Sequence, residues 1–178
     1  NPLRHGIVHC QITNPRILQG MKDQDLLAYI QPVFIDLDMN TVEPAIGAHR
    51  MDKVYAWKSM LDMGIHASGG SDAPVVSFDA MENIYFAVTR KNIKGQPEEG
   101  WIPSEKMSVD EAVKLFTKNA AYASYTEEEN GTIEVGKNAD FVVIEKDIYE
   151  IDPDEIKTTK VDMTVLDGEI VYEREAEE

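Results

Sequence analysis

His9 and Asp72 stand where hydrolytic chemistry is commonly placed. His9 closes the short apolar run Ile7-Val8-His9, and Asp72 follows the run Ile65-His66-Ala67-Ser68 by way of Gly69-Gly70-Ser71. A neutral imidazole and a carboxylate reaching in from different strands are the donors from which a hydrolytic Zn2+ site is built. Such an ion lowers the pKa of bound water to about 7, and a neighbouring carboxylate can take the proton. The glycines before Asp72 let the chain turn sharply and leave the carboxylate facing a pocket. Plainer readings stand beside these: a histidine at a strand end can be a hydrogen-bonded structural residue, and Gly-Ser-Asp can be only a turn.

Two further residues are candidate substrate contacts. Arg50, beside His49 in a long polar stretch, could fork onto a carboxylate, or the pair could be solvated. Gln31, within the second strand-like run, is the other. Arg4 and His5 either line a strand end or pair with acidic neighbours. His66, among apolar residues, reads as structural, and Trp57 and Trp101 as packing residues. Ser71 has no partner base in view, which argues against a serine nucleophile. Cys10 is the only cysteine, so no disulfide forms within the chain. In an apolar run it reads as a small buried residue of a protein in a reducing, cytoplasmic compartment.

The elements that must position these groups alternate. Gly6–Cys10 reads as a strand, and Thr13-Asn14-Pro15 starts a helix whose apolar side is Leu18, Met21, Leu26 and Leu27. Ala28–Phe34 is a second strand, with Pro32 placing its end at a sheet rim. Asp36–Asp52 is polar and long enough for a functional loop. Val54, Trp57, Met60 and Leu61 recur at helical spacing up to Gly64, and Ile65–Ser68 is the third strand. Helices follow over about Ala80–Val88 and, behind the capping box Ser108–Glu111, with Ala112, Val113 and Phe116 facing inward. Strand, helix, strand, helix, strand, helix implies a parallel sheet with helices outside. Beyond that the character changes. Ala139–Glu145 and the runs flanking Asp167-Gly168 are strands without helices between them, so residues 1–128 read as an α/β unit and 129–178 as a small β extension ending in an acidic tail, Glu173–Glu178.

Length and charge set outer limits. At 178 residues the chain is one domain in size, whereas a complete (β/α)8 barrel takes about 250. The net charge of −16 repels polyanions and argues against nucleic acid or an anionic membrane as a partner. No apolar run approaches the roughly 20 residues of a membrane span.

Taken together the segments resemble one branch of the amidohydrolase superfamily, which includes N-substituted formamide deformylases and D-aminoacylases. The resemblance is carried, in order, by Arg4–Cys10, by Ile30-Gln31-Pro32-Val33-Phe34 and by Gly69-Gly70-Ser71-Asp72-Ala73-Pro74-Val75. It continues through Ala87-Val88-Thr89-Arg90, Ser108–Ala112, Thr117 to Ala121, Gly131 to Val143 and Thr164 to Tyr172. It implies a (β/α)8 TIM barrel joined to a β-sandwich, of which this chain is strands six to eight and part of the sandwich. It also implies that His9 is a metal ligand ending strand six, and that Asp72 ends strand eight as a metal-bound aspartate that shuttles protons. Val8 departs from the family, which often has Glu there. The family's His-x-His pair on strand one, its bridging residue on strand four and its strand-five histidine have no counterpart in the chain. The expectation is a hydrolase of carbon–nitrogen bonds other than peptide bonds, using a divalent metal, zinc, and a metal-activated hydroxide on a small amide substrate. The metal is not expected to stay on this chain alone. Open strand edges suggest a homo-oligomer. The rival readings are a self-associating scaffold without activity and an esterase of the same superfamily.

Overall fold

The computed structural model describes residues 1–175, so the last three residues of the expected acidic tail lie outside the described residues. Strands β1 (Gly6–Val8), β2 (Leu27–Ile30) and β3 (Ala67–Gly69) form a parallel sheet in the order β1-β2-β3. Ile7 pairs with Ala28, and Tyr29 with Ser68. β2 is central and almost wholly buried, which is why Leu-Ala-Tyr-Ile needs no polar alternation. β1 can approach it only because residue 6 is glycine: a Cβ there would lie 2.4 Å from the Tyr29 ring and 2.7 Å from the Leu27 carbonyl oxygen.

Helix α1 (Pro15–Asp23) starts as its sequence dictates, with Pro15 in the first turn and Asn14 Oδ1 accepting the Ile17 N–H at 2.9 Å. Leu18 and Met21 face the core, but the helix stops before Leu26 and Leu27, and Leu27 opens β2 instead. Asp25 adopts a left-handed φ of 52°. The Asp25 N–H then donates to the Lys22 carbonyl at 3.0 Å and the Leu26 N–H to Met21 at 2.9 Å. These are the two bonds of a Schellman stop, here without glycine.

The second strand is likewise shorter than expected. After Ile30 the N–H groups of Phe34 and Ile35 donate back to the carbonyls of Gln31 and Pro32, both at 3.1 Å, and wind the chain into α2 (Phe34–Asp38). The polar stretch beyond continues as α3 (Val42–Ile46) and a 3-10 helix (Ala48–Lys53). Phe34, Ile35, Met39 and Val42 are buried, so this is a packed excursion.

Helices α4 (Trp57–Asp62), α5 (Ala80–Thr89), α6 (Val109–Phe116) and α7 (Lys118–Ala123) complete the α/β part. Gly64 stops α4 with φ 80°, and the Ser108–Glu111 capping box forms both of its bonds. α6 and α7 pack on β3. The core runs through Ile30, Trp57, Met60, Tyr85, Phe86 and Leu115.

Strands β4 (Phe141–Ile144), β5 (Val161–Leu166) and β6 (Glu169–Glu173) form a second, antiparallel sheet. Asp167 and Gly168 turn the β5–β6 hairpin with φ of 51° and 80°, as a two-residue I′ turn requires. A 3-10 helix (Pro153–Thr158) between β4 and β5 packs against α5 and buries Ile156 in the first core. Beyond the α/β part the described residues thus give a single three-stranded sheet. No helix among them is long and apolar enough to cross a membrane.

Candidate active site

Because the three strands are parallel, the residues leaving β1, β2 and β3 emerge at one edge of the sheet. His9 leaves β1, Gln31 leaves β2, and Gly70-Ser71-Asp72 leaves β3. With neighbouring strands about 4.8 Å apart, residues on the two outer strands stand about 10 Å from each other across β2. A structure of this kind collects its chemistry at this edge.

His9 is held in an unusual backbone state. The Cys10 N–H donates to the Val8 carbonyl at 2.9 Å across His9, whose φ is 69°, so the chain makes a γ-turn at the candidate ligand. The His9 N–H donates to the Tyr29 carbonyl at 2.7 Å. Its ring lies 5.7 Å from that of Phe34, and its Nδ1 is 2.8 Å from Gln31 Oε1. Gln31 is buried, and its Nε2 donates to the Tyr29 carbonyl at 3.3 Å. Beside it Cys10 is buried as expected, and burial pushes its thiol up to about 11, outweighing the Tyr29 backbone hydrogen bond that lowers it.

Asp72 is also left-handed, at φ 64°, and is exposed. Its carbonyl accepts the Val75 N–H at 2.9 Å, and the Gly70 N–H ties the strand exit to the Ile30 carbonyl at 2.9 Å. A Cβ on Gly69 would meet the Phe116 ring at 2.7 Å, so α6 closes on the end of β3 only over a bare backbone. Among the described residues the Asp72 carboxylate has no hydrogen-bonding partner. A ring nitrogen and a free carboxylate are suitable donors for a divalent ion. No group of three or more His, Cys, Asp or Glu among the described residues is placed to hold one, however. The donor set here is therefore compatible with a metal but incomplete.

Arg50 lies apart from the His9–Gln31 pair. It is exposed on the 3-10 helix and lines a cavity of about 330 Å³ with His49, Asp52, Ile12 and Asn14. An adjoining cavity of about 320 Å³, which His9 lines, shares Ile12, Thr13 and Ile17 with it. The exit of β1 is laced to this excursion: the Tyr55 N–H donates to Gln11 at 2.7 Å and Thr13 Oγ1 to Lys53 at 2.6 Å. Arg4 and His66 sit elsewhere. Arg4 pairs with Glu127 over the rings of Tyr122 and Tyr125, and His66 Nε2 is 2.9 Å from the Asn119 carbonyl oxygen.

Sequence reasoning missed the groups that brace this edge from above. Asn83 on α5 is buried, and its Oδ1 accepts the Val33 N–H at 3.1 Å, fixing α5 over the end of β2. Arg90 is buried at the left-handed end of α5. Its Nε donates to the Trp101 carbonyl and its Nη1 to the Tyr55 carbonyl, both at 3.0 Å, near the rings of Trp57 and Trp101. Burial draws its pKa down to about 10 against the opposing pull of Glu105. The Tyr55 hydroxyl donates to Asp38, which also accepts Gln11 Nε2 at 3.1 Å; burial first, then Asp38, raises the phenol pKa. The signals were a lone arginine closing an apolar helix and an asparagine inside it, neither of which names a partner in sequence.

A sequence model of a family described as "Amidohydrolase family" matches residues 1–172. YtcJ of Bacillus subtilis, named as an amidohydrolase, is 34% identical over 172 residues, covering 96% of this chain and 32% of YtcJ. The N-substituted formamide deformylase of Arthrobacter pascens is 36% identical over 122 residues, covering 68% of this chain and 22% of that protein. Among solved structures, an uncharacterized metal-dependent hydrolase from Pyrococcus horikoshii superposes with a TM-score of 0.75 at 20% identity, over 84% of this chain and 30% of that one. The chain therefore spans about a third or less of the length of these proteins.

Proposed function

The chain belongs to the amidohydrolase family, and on that premise we propose that it is the portion of a (β/α)8 hydrolase, strands six to eight with part of the sandwich, that carries the proton shuttle of C–N bond cleavage. The observation that carries this reading is the shared edge of the parallel sheet. It presents His9 with Nδ1 engaged, and Asp72 with its carboxylate free. His9 Nε2 and Asp72 would hold a divalent metal, zinc by preference, with further ligands from outside the described residues, since a catalytic zinc usually has three protein ligands. Such a metal, when bound, supplies Lewis acidity toward a carbonyl and eases loss of a proton from water.

Asp72 takes a proton from the attacking water as the new C–O bond forms, and returns it to the nitrogen as the C–N bond breaks. Water and amide are consumed, and a carboxylic acid and an amine are released, so nothing else is required. Arg50, on the cavity adjoining the one His9 lines, would meet an anionic group of a small amide substrate. We place the protein in the cytoplasm, acting without nucleic acid or membrane. For this chain by itself we propose a homo-oligomer, most simply a symmetric dimer, or else aggregation, because β1 is an open edge beside exposed Ile7 and Val8; in a complete barrel strand five would cover that edge. Screening over about 8 Å at physiological salt limits the opposing charge.

Turnover of matched amide and ester panels by the full-length protein, with divalent metal supplied, tests the reaction. Amide cleavage that a chelator abolishes is expected. Ester cleavage alone, or amide cleavage indifferent to chelation, would overturn it.

A further inference from the structure

We propose that Gln31 is a positioning residue for His9, fixing which ring nitrogen carries the proton and so leaving Nε2 as the free lone pair. Two hydrogen bonds meet at one backbone carbonyl, and a third joins Gln31 to His9. The Tyr29 C=O accepts the His9 N–H at 2.7 Å and Gln31 Nε2 at 3.3 Å, and Gln31 Oε1 lies 2.8 Å from His9 Nδ1. A carbonyl can only accept, so the amide must turn its NH2 toward Tyr29 and its oxygen toward the imidazole. An amide turned the other way would set oxygen against oxygen at Tyr29. The oxygen facing Nδ1 can only accept in turn, and Nδ1 must therefore be the protonated nitrogen of the neutral ring.

Burial makes this arrangement strict. Gln31 is only 7% exposed and His9 is half-buried beside it, so an unpaired amide oxygen would be costly. The backbone is strict as well: the γ-turn at His9 and the packing of Phe34 against its ring hold the imidazole where the amide reaches it. Free imidazole side chains favour the proton on Nε2, so the pocket reverses an intrinsic preference. An Nε2 that carried the proton could not donate its lone pair to a metal, and ligating histidines characteristically give their other N–H to a fixed acceptor. The last step rests on the reading of His9 as a ligand given above; the tautomer itself does not.

The test is the 15N spectrum of the histidine rings in the full-length protein before metal is added, with His9 assigned from a His9→Asn variant. The wild type is expected to show a protonated Nδ1 and an unprotonated Nε2 at His9. Gln31→Met, which keeps volume but offers no oxygen, should shift His9 toward the Nε2–H form, and Gln31→Glu, which keeps an acceptor, should retain Nδ1–H. Added zinc should then perturb Nε2, and about 10–100-fold more zinc should be needed in Gln31→Met. A wild-type His9 protonated on Nε2, or a Gln31→Met spectrum identical to wild type, would overturn the proposal. A wild-type Nδ1–H ring whose Nε2 ignores zinc would leave the role of Gln31 standing and remove His9 from the metal site.

Discussion

In the parallel sheet Leu27, Ala28, Ile30 and Ala67 are sealed beneath helices, whereas in the antiparallel sheet Val142, Ile170 and Val171 remain 56%, 57% and 57% exposed. Both sheets have three strands and both are rich in apolar residues. The difference is what lies on top. Helices α4, α6 and α7 pack on β3 and β2 is buried, though β1 is exposed, while the second sheet meets the core through Ile156 and the inward side of β5. Buried strands such as β2 and β3 can hold the residues packed against them in unfavourable conformations, because the core resists their relaxation. His9 and Asp72 both sit at positive φ, a state that costs a non-glycine residue roughly 1–2 kcal/mol. The open sheet carries left-handed residues only where its hairpin turns. His9 and Asp72 are two of ten non-glycine residues at positive φ among the described residues, so a left-handed backbone accompanies these strand ends without by itself identifying a site.

Substitutions should expose this contrast in order of size. Trp57 is buried at the centre of the first core, and Trp57→Ala should cost about 3–5 kcal/mol in urea unfolding. Val142→Ala in the open sheet should stay within about 0.5 kcal/mol. Equal losses at the two sites would erase the distinction between the sheets. Arg90→Met keeps the packing but strips the Tyr55 and Trp101 carbonyls of their donor. It should cost about 1–3 kcal/mol by the same assay, and a neutral result would deny Arg90 its bracing role. Ser108→Ala removes one arm of the α6 capping box and should cost about 1 kcal/mol.

The junction between the two regions should be the acid-sensitive part. The hydrogen bond from Arg4, with the backbone N–H and the charge of the guanidinium adding to it, holds the Glu127 carboxyl down at about 2. A carboxylate whose pKa is lowered by folding stabilises the fold above its ordinary range, and that contribution drains away as the pH falls from about 4.5 toward 2. Wild type and Glu127→Gln, melted across that window, should therefore converge in stability as the pH drops. Parallel curves would show that the clasp is not a pH-linked contact.

The sequence made the alternation of elements legible, because apolar period and turn chemistry are local. The Asn14 cap, the Ser108–Glu111 box, the Gly64 stop and the Asp167-Gly168 hairpin all formed where their residues dictate. Boundaries moved where a non-local contact competed. Asp25 ended α1 without a glycine, and the chain after Pro32 preferred a buried helix to an extended rim. His9 and Asp72 were visible as strand-end residues, and their common edge follows once the strands are parallel. Gln31 was visible only as a polar residue near that edge. Its bond to His9 depends on a carbonyl two residues back and a strand pairing, and no spacing rule encodes it. Asn83 and Arg90 were hidden for the same reason, since their partners, Val33, Tyr55 and Trp101, are fixed only by packing.

The most direct test of the whole account is kcat of the full-length protein on its best amide, measured for wild type and for Asp72→Asn at matched metal content. Asparagine keeps the volume and an oxygen donor but cannot shuttle a proton. A kcat lower by about 10²–10⁴ is expected, with the metal retained. Near-wild-type turnover in Asp72→Asn would contradict it, and would take the proton shuttle away from this edge of the sheet.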